Sequence, residues 1–378
     1  MKVYLKDEHY IFQDQIRRFC REEMAPLVEE AERMQKTPRH LFRRMGELGY
    51  LCIRYPEEYG SVNADKITDV ILREEISRVC QGFATSLSGH CHLSTYPIYR
   101  AGTDEQKKNY LIPAINGEKV GAFALTEPDA GSDTKAIKSL AVRDGDDYIL
   151  NGAKTFISNA PFADYLLTAA YTDPSKGYQG ISLFIIDADT EGMSIRKLDK
   201  EGIRSSETGE ISFVDCRVPR GQLLGGQEGN FQLIMETLSE GRIGVAGNMV
   251  GVAQAAYDCA LQYAKERVQF GRAIGKHQAV AHMLSDMAVN IRAARLMVYS
   301  SAHLVDFGER CAFEASTCKL FASETAVKTA RAAIQIHGGY GLMAEYPVFR
   351  YLRDALVYTI GEGTSEIQRN IIAKEIGL

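Results

Sequence analysis

The feature that most constrains this chain is the order of its hydrophobic periodicities, which change twice along its length. From residue 5 to about 118, apolar residues recur at three- and four-residue spacing in segments such as 8–29, 38–48, 65–79 and 104–115, and strand signals are nearly absent. From about 120 to 228 the texture turns to β-branched, alternating runs broken by Gly and Asp: VGAFALTEP, DDYILNGAKTFIS, YLLTAAYT, ISLFIIDA and GEISFVDCRVP. From about 229 the helical period returns in four long stretches, near 229–267, 277–305, 310–338 and 346–358, with a short helix after Ser365. Helix and strand are segregated rather than alternating, which excludes a doubly wound α/β sheet. The pattern predicts an α+β protein with an N-terminal α-helical domain (1–119), a central β-barrel or sandwich domain (120–228) and a C-terminal four-helix bundle (229–378). The junctions, NGEK and GGQEGN, are short turns, so the domains are expected to pack on one another.

The balance of 44 Lys+Arg against 49 Asp+Glu, with no basic stripe, argues against a nucleic-acid binder. The eight cysteines are scattered without any C-x-x-C pair, the usage of reduced thiols in a cytosol-like compartment. The N-terminus is polar and charged at once, and no window approaches the ~18 apolar residues of a membrane span. The expectation is a cytoplasmic protein, or one of the mitochondrial matrix if eukaryotic.

Four loops carry the polar and small residues that chemistry needs. The run Ala124-Leu125-Thr126-Glu127-Pro128-Asp129-Ala130-Gly131-Ser132-Asp133 follows a predicted strand and is either a surface turn or a place where backbone amides approach a polar cofactor. The others are Thr155-Phe156-Ile157-Ser158-Asn159, His337-Gly338-Gly339-Tyr340-Gly341, and Gly361-Glu362-Gly363-Thr364-Ser365. Taken together, in this order and spacing, and with Arg267-x-x-Phe270-Gly271, they resemble the acyl-CoA dehydrogenase family over essentially the whole chain.

The resemblance implies FAD against the β domain, with Phe123, Leu125, Thr126, Gly131, Ser132, Phe156 and Ser158 along it. Thr126 and Ser158 are then flavin hydrogen-bonding groups. The family usually has Trp where Phe156 stands, and this chain has no Trp; Phe keeps a flat apolar wall and loses the indole N–H. The resemblance also implies a homotetramer in which a neighbouring subunit completes the cofactor site through Arg267, Phe270, Gln278, Gln335, Gly338 and Gly339. A guanidinium fork suits the pyrophosphate and paired glycines admit close backbone approach. Read alone, Arg267 is equally a solvated helix residue beside Glu266. Thr364 and Glu366 complete the flavin set, while Ser132, Ser239, Arg242 and Gly363 fall at the substrate.

The family's base is the Glu of the Glu-Gly-Thr-Ser run, here Glu362, between two glycines that leave it unobstructed. Some members instead place the base immediately before the arginine of Leu238-Ser239-Glu240-Gly241-Arg242. That position is Gly241 here, and Glu240, one residue off, is turned away by ~100° on a helix. The family often has Asp where Ser239 stands, near the CoA nucleotide. Gly89 and Gly361 replace larger groups of straight-chain members, which suggests a pocket widened near the α and β carbons. His90-Cys91-His92 resembles a metal cluster, but consecutive helical side chains diverge and no metal is expected.

The implied activity is α,β-dehydrogenation of an acyl-CoA thioester, with Glu362 taking the α-proton as the Cβ hydride moves to the flavin. The Glu362 amide and a ribityl hydroxyl hold the thioester oxygen. Electrons then pass to an electron-transferring flavoprotein. An enoyl-CoA reductase running in reverse, an oxidase, and an idle flavin-binding assembly protein share the same sequence features.

Overall fold

The computed structural model describes residues 4–378, and it has the predicted three-part architecture. The N-terminal part is helical: α1 (Asp7–Phe19) runs through a π turn at Cys20–Met24 and a 3-10 turn into α2 (Val28–Met34), and α3 (His40–Glu47) follows. Next come α4 (Lys66–Val79) and α5 (Gln81–Ser88); α5 continues through a π-helical segment, Gly89–Ser94, into α6 (Tyr96–Ala101). A second π segment, Lys107–Leu111, joins α7 (Asp104–Gln106) to α8 (Ile112–Ile115). Asp65 starts α4 by accepting a hydrogen bond from the Thr68 amide, the usual job of an N-cap carboxylate.

Seven strands form one curled sheet: β1 (Gly121–Ala124), β2 (Leu140–Asp144), β3 (Asp147–Ser158), β4 (Tyr165–Tyr171), β5 (Ile181–Asp187), β6 (Met193–Lys197) and β7 (Thr208–Val218). The order is β1-β4-β2-β3-β7-β6, with β5 also on β4; β1 runs parallel to β4 in the register Gly121↔Tyr165. Along β4 the side chains alternate between two cores. Tyr165, Leu167 and Ala169 pack with the N-terminal helices, and Leu166 and Ala170 pack with Phe184 and Ile186 inside the sheet's curl. Both faces of β4 are therefore dry.

The C-terminal part is built on three long helices, α9 (Phe231–Glu266), α10 (Gln278–Asp306) and α11 (Ala312–His337). A tight hairpin of β8 (Val268–Gln269) and β9 (Arg272–Ala273) separates the first two. The stretch expected as a fourth long helix is instead the eight-residue α12 (Val348–Ala355), and α13 (Ser365–Glu375) closes the chain. The remaining helix packed along α9 comes from the N-terminal part: Ile67, Val70 and Ile71 of the 14-residue α4 share one core with Ile243, Met249 and Val250 of α9. Glycines of α9 admit this approach. A Cβ at Gly247 would lie 3.3 Å from Val70 Cγ1, and one at Gly251 would lie 2.2 Å from the Glu74 carbonyl oxygen. No helix among the described residues is long and apolar enough to cross a membrane.

Candidate active site

Glu362 holds a backbone conformation that L-residues rarely adopt, with φ 54°, and Gly363 follows at φ 92°. Such strain costs of order 1–3 kcal/mol and persists only where surroundings impose it. Here they are Lys319, whose Nζ donates to the Gly363 carbonyl at 2.6 Å, and Gln368, whose amide donates to the carbonyls of Glu362 (3.2 Å) and Gly363 (2.9 Å). Lys319 is fully buried in α11, and burial lowers its pKa to about 8. The carboxylate that this loop presents has one oxygen, Oε2, buried without a hydrogen-bond partner. Burial raises the Glu362 pKa, opposed by Arg73, Lys319 and Arg242 in that order. A desolvated carboxylate with a vacant lone pair is a strong acceptor for a proton on carbon.

That oxygen faces α9 at a missing side chain. A Cβ at Gly241 would lie 2.7 Å from Glu362 Oε2 and 3.4 Å from His92 Cδ2, so positions 241 and 362 address the same volume. Glu240 points elsewhere. Its carboxylate accepts from Arg54 Nη1 (2.7 Å) and the Tyr96 hydroxyl (3.0 Å). Burial would raise its pKa, but Arg54 and Lys66 outweigh that and hold it at about 2. Immediately after Gly241, Arg242 donates to Ser239 Oγ at 3.3 Å and keeps a buried, unpartnered Nε. Ser239, Arg242, Gly241 and Glu362 thus meet in one place. A Cβ at Gly361 would lie 3.3 Å from the Val357 carbonyl and one at Gly89 3.4 Å from Asn159 Nδ2, so the nearest neighbours of both positions are protein atoms other than Glu362 and Gly241.

The β-domain residues gather on a rim. Phe123 lies next to the end of β1, Leu125 is buried just beyond the strand, and Thr126 is half-buried. The Thr126 carbonyl accepts from the Thr155 amide at 2.9 Å, tying the two loops together. A bulge between Lys154 and Ile157 forces Phe156 into a left-handed conformation, φ 59°, with its ring 70% exposed. Ser158 is half-buried at the same edge, while Gly131 and Ser132 are exposed and a Cβ at Gly131 would meet nothing. Sequence reasoning missed what holds this rim. Lys154, fully buried, donates to Glu127 Oε1 (2.7 Å) and to the Leu125 carbonyl (3.1 Å), and burial lowers its pKa to about 8. Glu127 also accepts from the Lys138 and Ser139 amides.

A separate open cleft of about 610 Å³ brings together Arg267, Gly338 and Gly339 with Tyr263, His337 and Tyr340. The Arg267 guanidinium lies 5.6 Å over the Tyr340 ring. No β-domain residue lines this cleft. Phe270 and Gly271 form the hairpin tip at φ 52° and 77°, the Phe270 ring 94% exposed. Gln335 is exposed on the last turn of α11, while Gln278 starts α10 outside the cleft lining. Thr364 caps α13 by accepting from the Ile367 amide (3.3 Å), and Glu366 is exposed on its first turn. The histidines of 90–92 are held by backbone: His90 contacts the Ala114 carbonyl and Gly121 amide, and His92 Nε2 contacts the Thr237 carbonyl at 2.8 Å.

The three-part chain thus carries a carboxylate with a vacant oxygen at a helix notch and, on its β domain, an exposed aromatic rim. Three family models match it in order: Acyl-CoA dehydrogenase, N-terminal domain over residues 6–118, middle domain over 122–216, and C-terminal domain over 229–377. The chain belongs to the acyl-CoA dehydrogenase family. It is 42% identical over 373 residues to an acyl-CoA dehydrogenase of Bacillus subtilis, covering 98% of each chain. It is 41% identical to the caffeyl-CoA reductase-Etf complex subunit CarC of Acetobacterium woodii, again covering 98% of each. The butyryl-CoA dehydrogenase structure from Megasphaera elsdenii superposes with a TM-score of 0.95 at 38% identity, covering 98% of each chain.

Proposed function

We propose that this protein is an FAD-dependent acyl-CoA dehydrogenase that removes hydrogens from Cα and Cβ of an acyl-CoA thioester and passes electrons to an electron-transferring flavoprotein. The observation that carries the reading is Glu362, a strained, half-buried residue whose Oε2 is buried and vacant at the Gly241 notch. Glu362 takes the α-proton, and its oxygen is free to do so because no other group occupies it. The Glu362 amide donates no hydrogen bond to the described residues, which leaves it available to a thioester oxygen on which enolate charge develops. Arg242 stands beside this point, with Ser239 Oγ accepting a hydrogen bond from it, and orients the thioester end of the substrate.

The residues fit FAD. The exposed Phe156 ring, the Thr126 and Ser158 hydroxyls and the open backbone at Gly131 offer a flat wall with polar edges. When bound, FAD supplies the acceptor for the Cβ hydride. Arg267, Gly338, Gly339 and the projecting Phe270 lie in or near a cleft that no β-domain residue lines, an arrangement that makes sense if each chain completes its neighbour's cofactor site in a homotetramer. The cytoplasm, or a mitochondrial matrix, suits a chain with eight free thiols.

One relative is a caffeyl-CoA reductase subunit, which favours a second reading in which the same site reduces an enoyl-CoA. Anaerobic titration of the purified flavoprotein with acyl-CoAs, following flavin absorbance, tests the first reading. Photoreduced protein titrated with enoyl-CoAs tests the second. Flavin unresponsive to both sets refutes catalysis.

A further inference from the structure

Beside the Glu362 notch, a cavity of about 40 Å³ opens between α4, α5 and the π-helical segment; its lining is mostly apolar, with Leu72, Ile76 and Leu87, but Arg54, Asp69 and Arg73 also reach it. That volume holds a few water-sized groups. Arg73 is 8% exposed, with Nε on Asp69 Oδ1 (2.8 Å) and Nη1 on Ser88 Oγ (2.6 Å). Asp69 Oδ2 takes Lys66 Nζ at 2.8 Å.

The hydrogen-bond valences decide what the cavity lacks. All four oxygens of Asp69 and Glu240 already accept from Arg73, Lys66, Tyr96 and Arg54. The unfilled groups are donors. Arg54 Nε is buried without a partner, and among the described residues Arg73 Nη2 has none. Vacant guanidinium N–H groups call for an acceptor, and a carboxylate matches their fork. Resting on the dehydrogenase reading above, we propose that the acyl group of the substrate ends in a carboxylate held by Arg73 and Arg54, so that the enzyme acts on a short dicarboxylic acyl-CoA.

The length of that diacid follows from α9. Glu362 Oε2 lies 2.7 Å from a Cβ at Gly241, and the Arg73 guanidinium 2.9 Å from a Cβ at Gly244. Positions three apart on a helix have Cβ atoms about 5–6 Å apart. The two groups are therefore within roughly 11 Å. Allowing about 3 Å from Glu362 to the α-carbon and about 2.8 Å from carboxylate to guanidinium leaves at most about 5 Å. At roughly 1.3 Å of advance per bond, that is no more than three or four bonds beyond the α-carbon, so the acyl group has at most about six carbons.

The test uses FAD-loaded protein and two readouts. Calorimetric Kd values on the Glu362→Gln holoenzyme, where turnover is blocked, compare glutaryl-CoA and adipyl-CoA with pentanoyl-CoA and hexanoyl-CoA. Flavin bleaching of the wild type compares the same four. The diacids should bind at least about tenfold tighter and bleach faster, and Arg73→Gln should abolish the preference. Arg54→Gln, at a half-buried site, should reduce it and serves if Arg73→Gln does not fold. Equal Kd values with bleaching by pentanoyl-CoA would overturn the inference and leave the dehydrogenase reading standing. A preference that survives both substitutions would overturn the assignment to these arginines. Flavin inert to every acyl-CoA, with equal Kd values, would overturn both.

Discussion

Replacing Gly241 by glutamate while replacing Glu362 by glycine relocates one carboxylate within a single volume. The geometry sets the expectation: a Cβ at 241 starts 2.7 Å from the present Oε2, and a glutamate carboxylate lies only two further bonds out. Removing Glu362 clears the space that side chain needs and relieves the left-handed φ of 54° at that position, while a third consecutive glycine adds chain entropy of similar size. Stopped-flow flavin reduction at saturating substrate, with FAD content checked, is the assay. Glu362→Gln should slow reduction by roughly 10²–10⁴-fold, the usual worth of a positioned base, with normal FAD content. The double variant should recover to within about 10–100-fold of wild type. Gly241→Ala alone places a methyl below contact distance of the carboxylate, and a displacement near 1 Å costs about 100-fold. Glu240→Gln should stay within a few-fold, because that carboxylate is committed to Arg54 and Tyr96. A double variant no faster than Glu362→Gly, or loss of reduction in Glu240→Gln with retention in Glu362→Gln, would refute the reasoning.

Because burial raises the Glu362 pKa, and the base works only when deprotonated, flavin reduction should rise with pH through a midpoint above that of a free glutamate; a pH–rate profile should show this limb vanish in Glu362→Gln. Lys154→Met strands the Glu127 carboxylate in a dry site and should cost about 3–5 kcal/mol, read as a lower denaturation midpoint, with part restored by Glu127→Gln in the same chain. Phe156→Gly should separate two quantities: the FAD-free protein stays within about 1 kcal/mol of wild type because φ 59° suits glycine, while FAD retention after dialysis falls. Arg267→Ala should likewise weaken FAD retention, and a monomer holding FAD at full occupancy would contradict the proposed sharing between chains.

The three-part order of the fold was readable because each segment repeats one hydrophobic period for about a hundred residues. The length of the last bundle stretch was not. Tyr346, Tyr351 and Tyr358 extend an apolar pattern across Pro347, but a regular helix spans only Val348–Ala355. The residues meeting at Glu362 were recoverable in part from local motifs, since glycines flank it and Gly241 sits in a recognisable run. Lys319, Arg73 and Lys154 went unnoticed because charge is ordinarily read as solvated face. The signal was present in spacing: Lys319 stands on the same small-residue stripe as Ala315, Ala322 and Ala326, all buried. Lys66, Asp69 and Arg73 likewise recur at positions that α4 turns inward. Lys319 and Lys154 find their partners, the Gly363 carbonyl and Glu127, 44 and 27 residues away, too far for a local reading to name, whereas Lys66, Asp69 and Arg73 pair within α4.

The shared core of α4 and α9 also bears on how the protein is made. About 150 residues separate the two helices, so at roughly 5–20 residues per second a ribosome delivers the second some 8–30 s after the first. During that interval the nascent α4 stands without its largest neighbour, and its Lys66, Asp69, Arg73, Glu74, Glu75 and Arg78 keep it hydrated and unattractive to other chains. Asp69 pairs with Lys66 and Arg73 within α4 itself, and Glu74 gains Arg295 only when α10 arrives. A segment built this way travels as a surface helix and ends as an interior one, and severing the chain anywhere between the two would leave it a surface helix for good.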